Sequence, residues 1–335
     1  MTSNTTYHLS IDSGGSKIKA VLYNGAFEPI SHAKTGSVRG NSTPRNLIDL
    51  HLQEMLSQLF DEHPEVQRVE TIHGSFGDRL LVESLKTRVS LAEDAVQGDG
   101  EGGLGLASAG LKAPGLVCLS GTGATMFFLG ANGQRYGAMG GYGAVVFDEG
   151  SGYHIGRLGI SAAIRAFEKR GAETLLEPMI SEYLGRDKLN AAIFYGIYDA
   201  GKAPIAAVAG LCPVVCRAAW LGDNVALDIL NQAGCCLGDQ MNALIRREQV
   251  PQEVPMTISG STYRGHPAIF DSLCREIRKE NPERPIIKPL FEPVVGGIIR
   301  HWLSLGREFD EETRKMFLER YADYRFTVGE RPADL

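Results

Sequence analysis

The sequence predicts an α/β protein of two related halves, each opening on a glycine hairpin. Three observations carry that prediction. Short apolar runs of period two alternate with longer segments whose apolar residues recur at helical spacing. The 335 residues, at about 150 per domain, make roughly two domains. The order strand, glycine turn, strand, Asn-Gly turn occurs at residues 10–25 and returns at 118–133, about 107 positions later.

Taken in order, residues 7–12 alternate and lead into Ser13-Gly14-Gly15-Ser16. Ile18, Ala20 and Leu22 then alternate with Lys17, Lys19 and Val21, a strand. Asn24-Gly25 marks a turn, with another strand near 29–33. Leu47, Leu50, Leu52, Met55, Leu56 and Leu59 give residues 46–60 a helical period. Residues 69–73 read as a short strand running into Gly74-Ser75-Phe76-Gly77-Asp78. A helix follows over 79–88, and a short strand ends near Glu93-Asp94. Residues 98–115 are dense in Gly and Ala. They read as a linker or, over 104–111, as a small-residue helix, with 98–105 a plain flexible stretch.

The second half begins with a strand into Ser120-Gly121-Thr122-Gly123-Ala124, a second strand over 126–129, and the Asn132-Gly133 turn. A long helix starts near Tyr153, and 186–247 is helical almost throughout. Strands near 257–260 and 286–290 flank a helix over 267–280. Pro293 opens another helix, whose Gly296-Gly297 pair reads as a close helix approach. Residues 310–321 form an amphipathic helix, and the last residues read as frayed. The expected domains are 1–115, 116–305, and a C-terminal helical segment, 306–335, packing back on the first.

Composition narrows the function. Net charge is -6, and Lys and Arg are scattered, so no nucleic-acid footprint is expected. No apolar run reaches the roughly 18 residues of a membrane span. The polar N-terminus does not read as a signal peptide, so a cytoplasmic protein is expected. The six cysteines form no metal-like spacing; Cys212 with Cys216, and Cys235 with Cys236, read as small buried thiols. Glycine is in excess, at 40 residues or about 12% against a usual 7% or so.

That excess gathers at turns. A phosphate needs several backbone N–H groups converging on it, which tight side-chain-free turns allow. Residues 13–16 and 120–124 are two such turns. Each is followed by a strand rather than a helix, which excludes the dinucleotide fingerprint, and no P-loop motif occurs. Two such hairpins suit the β- and γ-phosphates of a nucleotide. Asp12 ends the first strand at the mouth of its turn, a position suited to Mg²⁺ held mainly through water.

These motifs resemble those of the N-acetylglucosamine kinase family, within the sugar kinase, actin and heat-shock chaperone superfamily. Leu9-Ser10-Ile11-Asp12-Ser13-Gly14-Gly15-Ser16-Lys17 is similar to the first phosphate motif, and Ser120-Gly121-Thr122-Gly123-Ala124 to the second. Gly140-Gly141-Tyr142-Gly143 with Asp148-Glu149-Gly150-Ser151-Gly152-Tyr153 resembles the family's sugar loop. Ile258-Ser259-Gly260-Ser261 is similar to its adenosine motif. The resemblance spans most of residues 8–303.

The resemblance implies two ribonuclease-H-like (actin-like ATPase) domains around a nucleotide cleft, closing on substrate. It implies an ATP- and Mg²⁺-dependent kinase acting on the 6-hydroxyl of an amino sugar, N-acetylglucosamine first. Glucosamine, N-acetylmuramic acid or another sugar is the alternative. A non-catalytic ATP-binding regulator and a dehydratase-activator ATPase are the competing classes. By the same resemblance Asp94 is the general base. Gly14, Gly15, Ser16, Lys17, Gly121, Thr122, Gly123, Ala209, Gly260 and Ser261 contact the nucleotide. Asn41, Asp78, Ala124, Thr125, Gly141, Tyr142 and Asp148 contact the sugar, and the chain forms a homodimer. Ala124 stands where the family has serine and Tyr142 where it has tryptophan, departures that bear on the sugar.

Overall fold

A computed structural model describes residues 5–40, 43–77, 79–144, 146–198 and 204–335. In chain order the first elements are β1 (Tyr7–Ser13), β2 (Lys17–Asn24), β3 (Pro29–Gly36), α1 (Arg45–Phe60), β4 (Arg68–Val69), β5 (Thr71–Ser75), α2 (Arg79–Lys86), β6 (Ser90–Leu91), β7 (Val96–Gly98) and α3 (Gly100–Ser108). Then come β8 (Gly115–Ser120), β9 (Ala124–Leu129), β10 (Arg135–Gly140), α4 (Gly152–Phe167), α5 (Leu176–Tyr183), α6 (Leu189–Ile193), α7 (Pro204–Ala209), α8 (Cys212–Trp220) and α9 (Asn224–Glu248). The last are β11 (Met256–Ser259), α10 (Thr262–Gly265), α11 (Pro267–Arg278), β12 (Ile286–Ile287), α12 (Pro293–Ser304) and α13 (Glu311–Arg320). The chain divides into two compact units. One holds 1–115, 131–133 and 289–326, and the other 116–130, 134–288 and 327–335.

The first unit is built on a sheet of order β3-β2-β1-β5-β7. β1 runs antiparallel to β2 and parallel to β5, and β7 is parallel to β5. Period-two alternation splits the side chains between two faces. Leu9, Ile11, Ile18, Ala20 and Leu22 bury against α1 and α2, while Val21 and Tyr23 bury against α12 and α13. α12 comes unusually near. A Cβ at Gly296 would sit 2.1 Å from the Leu104 carbonyl, and one at Gly297 would sit 2.1 Å from Ser10 Oγ. Only glycine permits that approach.

The second unit repeats the plan, with order β10-β9-β8-β11-β12. β8 is parallel to β11, which is parallel to β12. α9 starts on Asp223, whose carboxylate accepts from the Ala226 amide at 2.8 Å, a cap contributing about 1 kcal/mol. Gly234 and Gly238 let α9 lie against α11.

Several expectations change. Residues 98–105 are not a flexible stretch: α3 is a helix whose residues 102–108 are buried, because its small side chains admit α12. Residues 289–305 group with the first unit, not with 116–288, since the apolar side of α12 completes the first sheet's core. Residues 327–335 group with the second unit and are tied down, with the Gly329 and Glu330 amides donating to the Tyr263 and Arg264 carbonyls at 3.0 and 2.7 Å. Sequence reading missed β7 and β10, which are short or glycine-rich. Cys212 and Cys216 are buried, but Cys235 and Cys236 are half-buried. Neighbours on a helix lie about 100° apart and cannot both face one core.

Candidate active site

The first glycine turn is held from three directions. The Gly14 amide donates to the Lys17 carbonyl at 2.9 Å, closing the hairpin. Ser37 Oγ donates to the Gly14 carbonyl at 3.0 Å, and Arg39 Nε donates to the Ser13 carbonyl at 2.9 Å. The Ser13, Gly14 and Lys17 carbonyls are thus occupied by protein. Asp12 lies at the carboxyl end of β1, level with Ser75 of β5 and Lys19 of β2. The residue as a whole is half-buried. Burial first, and then the Glu101 charge, raise its carboxyl to about 6, against the pull of Arg39, Lys17 and Lys19. Burial and Lys19 push the Lys17 ammonium the other way, downward.

Asp94 is not at this end of the sheet. It lies on an exposed turn between β6 and β7, its carbonyl accepting from Gln97 Nε2 at 2.9 Å. β7 runs parallel to β5 and β1, and its first residue, Val96, is level with Ile72 and so with Leu9. That level is three residues, about 10 Å, from Asp12 along the strand direction. Asp94 precedes Val96, so it sits at the amino ends of the strands. The short strand that ends before Asp94 is β6, which pairs only with β4 in a separate two-stranded ladder.

Two carboxylates that sequence reading passed over follow β7 at the carboxyl end. Asp99 has a side chain only 4% exposed, and both oxygens are taken. His73 Nδ1 donates to Oδ2 and Arg300 Nε to Oδ1, each at 2.9 Å. Glu101, on the first turn of α3, is about a quarter exposed and accepts from Arg39 at 2.6 Å. An open concavity of about 500 Å³ is lined by Gly74, Ser75, Phe76, Gly77, Gly98 and Gly100, with Arg79, Val82 and Val96. A Cβ at Gly98 or Gly100 would meet nothing within 4 Å, so both glycines face open space. Asn41 and Asp78 lie outside the described residues.

In the second unit the structure gathers the expected residues more fully. The Gly121 amide donates to the Gly123 carbonyl at 2.9 Å, and the Gly152 amide, opening α4, donates to the Gly121 carbonyl at 2.7 Å. Gly260, at φ 104°, ends β11 so near the turn that a Cβ would lie 2.1 Å from the Ser120 carbonyl. Thr262 Oγ1 donates to the Gly121 carbonyl at 3.3 Å, and Ser261 precedes it at the start of α10. The Ala209 carbonyl, at the end of α7, lies 3.6 Å from where a Gly152 Cβ would stand. A Cβ at Gly121 would meet nothing within 4 Å, so that face of the turn is open.

Asp148 links this turn to the loop that follows β10. Its Oδ1 accepts from the Gly143 amide at 3.1 Å, and a second backbone bond comes from Ala124. Burial nevertheless raises its carboxyl, against those two bonds. Gly141, at φ 73°, packs on Thr125, and its amide donates to the Ala124 carbonyl at 2.9 Å. The Ala124 methyl is buried, whereas the Tyr142 ring is 69% exposed. Tyr142 meets Phe147 edge to face, with ring centroids 6.3 Å apart. Phe147 was not foreseen, since no spacing marks a lone aromatic.

Among the described residues no cluster of three or more His, Cys, Asp or Glu side chains is arranged to hold a metal. A tightly caged transition metal is therefore a poor match for these groups. Mg²⁺, which keeps its waters and takes few carboxylates, fits Asp12 at the mouth of the turn. The neighbouring Glu101 charge makes a cation there more favourable still.

Two sheets of one strand order, each with a glycine turn after its first strand, define the ribonuclease-H-like, actin-like ATPase class. Within that class the chain belongs to the BadF/BadG/BcrA/BcrD ATPase family, whose model matches residues 9–299. The chain is similar to the N-acetylmuramic acid/N-acetylglucosamine kinase of Clostridium acetobutylicum, 27% identical over 88% of this chain and 97% of that one. It is also similar to the N-acetyl-D-glucosamine kinase of Dictyostelium discoideum, 24% identical over 87% of this chain and 96% of the other. A solved Porphyromonas gingivalis protein shares the fold at a TM-score of 0.64 and 19% identity, covering 90% of this chain and 100% of its own. A Streptomyces griseus ROK family glucokinase, solved with glucose and AMPPNP, shares it at 0.53 and 15%, covering 89% and 98%. Among the described residues no helix is long and apolar enough to cross a membrane.

Proposed function

We propose that this protein is an ATP-dependent kinase of amino sugars, transferring the γ-phosphoryl group to the 6-hydroxyl of N-acetylglucosamine or N-acetylmuramic acid. The observation that carries the reading is the pair of glycine turns on matching sheets, one of them headed by Asp12. The names of the two curated relatives support the substrate class.

In this reading Gly14, Gly15, Ser16 and Lys17 meet phosphate through backbone N–H groups, and Gly121, Thr122 and Gly123 do the same. Ala209, Gly260 and Ser261 serve the adenosine. Asp12 holds Mg²⁺ mainly through water, and Mg²⁺ when bound neutralises charge on the phosphate oxygens. Asp148 bridges sugar hydroxyls, with Asn41, Asp78, Thr125, Gly141, Tyr142 and the Ala124 backbone around it. Positioning carries most of such a reaction, because phosphoryl transfer asks little covalent chemistry of the protein. Closure on substrate, a homodimeric assembly and a cytoplasmic setting belong to the same proposal. Sedimentation checks the assembly.

The test is ADP release screened across N-acetylglucosamine, N-acetylmuramic acid, glucosamine and glucose. Sugar-dependent release with an N-acetylated amino sugar preferred supports the reading. Release that no sugar accelerates overturns it in favour of a regulator or an ATPase activator.

A further inference from the structure

We infer that residues 327–335 are a positioning segment of the nucleotide site, holding the short helix α10 in place for Gly260 and Ser261 to serve the adenosine. The inference rests on the nucleotide part of the reading above. The segment lies outside residues 9–299, the stretch that the family model matches. Yet Gly329, Glu330, Arg331 and Asp334 all meet side chains or backbone of the second unit.

α10 is only four residues long, too short to hold its own shape. Its start is set by the second glycine turn. Gly260 stands against the Ser120 carbonyl, and Thr262 Oγ1 donates to the Gly121 carbonyl at 3.3 Å. Tyr263 is buried, its hydroxyl donating to the Cys118 carbonyl at 3.3 Å. The end of α10 needs other partners, because the last carbonyls of a helix have none within it. Residues 327–335 supply two of them. The Gly329 amide donates to the Tyr263 carbonyl at 3.0 Å, and the Glu330 amide to the Arg264 carbonyl at 2.7 Å. The Gly265 carbonyl accepts from Trp220 Nε1 at 2.8 Å, and the Arg331 guanidinium lies 5.9 Å from the centre of a Trp220 ring.

Two ion pairs add to these bonds. Arg264 Nη2 donates to Glu330 at 2.9 Å, and Arg217 of α8 pairs with Asp334 at 2.8 Å. Exposed pairs of this kind contribute little, so the backbone bonds carry the bracing. Gly329, at φ 65°, permits the approach, since a Cβ there would lie 2.7 Å from Pro267 Cδ. Four helical residues span about 6 Å, roughly a single turn, so freeing the end of α10 also frees its start. Gly260 and Ser261 lie at that start. Thr125, Gly141 and Asp148, proposed for the sugar, lie on other elements, β9 and the loop after β10.

The experiment compares wild type, a chain ended after Phe326, and Gly329→Val in the full chain. Each is measured by ADP release against ATP and against N-acetylglucosamine or N-acetylmuramic acid, by direct ATP binding and by thermal melting. The inference expects Kd and KM for ATP to rise about tenfold in both variants, the scale of one lost hydrogen bond. kcat and the KM for sugar stay within about threefold of wild type. An ATP affinity within about twofold of wild type in both variants overturns the inference. So does a KM for sugar that rises as far as the KM for ATP. Loss of the folded state in both variants also overturns it, leaving the segment a purely structural tie. A wild type that no sugar accelerates overturns the kinase reading alone, and the ATP dissociation constants then decide the segment's part by the same criterion.

Discussion

The two glycine turns are built on the same strand plan and do different things. Each joins an antiparallel pair that continues into two parallel strands. In the first, the residue before the turn's opening serine is Asp12; in the second, the corresponding residue is Leu119. The first is ringed by ionisable groups, among them Lys17, Lys19, Arg39 and Glu101. The second is braced by backbone, with the Gly152 amide, Gly260 and the carboxylate of Asp148 closing on it. One plan thus supplies a turn headed by its own carboxylate and another that a carboxylate reaches from a later loop. The difference lies in side chains at a few positions, not in topology.

The largest effect should come from removing the charge that distinguishes them. Asp12→Asn is expected to lower kcat by about 10²–10³-fold, the scale of losing one key electrostatic group. Its residual rate should lose the wild-type response to Mg²⁺ titration. A variant with unchanged rate would erase the distinction between the turns.

Next come two glycines of the second turn's surroundings. Gly260→Ala forces a Cβ to 2.1 Å from the Ser120 carbonyl at φ 104°. Its thermal unfolding should report a loss of about 1–3 kcal/mol or more. Gly121→Ala meets nothing within 4 Å and should melt like wild type, within about 0.5 kcal/mol. Its cost should appear instead as a raised KM for ATP. If Gly121→Ala lowered the melting temperature as much as Gly260→Ala, the turn would be a packing element and not a binding face.

The smallest effect concerns acid. His301 stacks on His73, and its Nδ1 bonds the Tyr23 hydroxyl at 3.0 Å. Burial first, then His8, His73 and Arg307, push its pKa from 6.5 to about 3. The unfolded chain protonates near 6.5 while the folded one resists until about 3. Stability from this group is therefore full above about 6.5 and is lost as pH falls toward 3. Amide protection in β1 and β2 should weaken between pH 7 and 5, and less so in His301→Gln. Equal weakening in both proteins would remove His301 as the cause.

How much was legible follows from what each signal depends on. Asp12, the two turns and α4 lie in continuous motifs, and local spacing found them. Asp94 came from a resemblance that sets it after a strand, and sequence finds a strand without naming the sheet it joins. β6 and β7 are both short and five residues apart, and only β7 pairs with β5. Glu101 sat in a Gly-rich run that reads as linker. Its helix exists because α12, nearly two hundred residues later, covers it through Gly296.

By itself the sequence determined the α/β class, the repeated hairpin plan and the site of the glycine excess. These depend on period, turn chemistry and backbone freedom, which are local. Only the tertiary structure decided which end of the sheet each carboxylate occupies, that α12 belongs to the first core, and that Asp99 is consumed while Glu101 stays free to meet solvent. Those depend on strand pairing and packing between residues far apart in the chain, where no local preference carries the information.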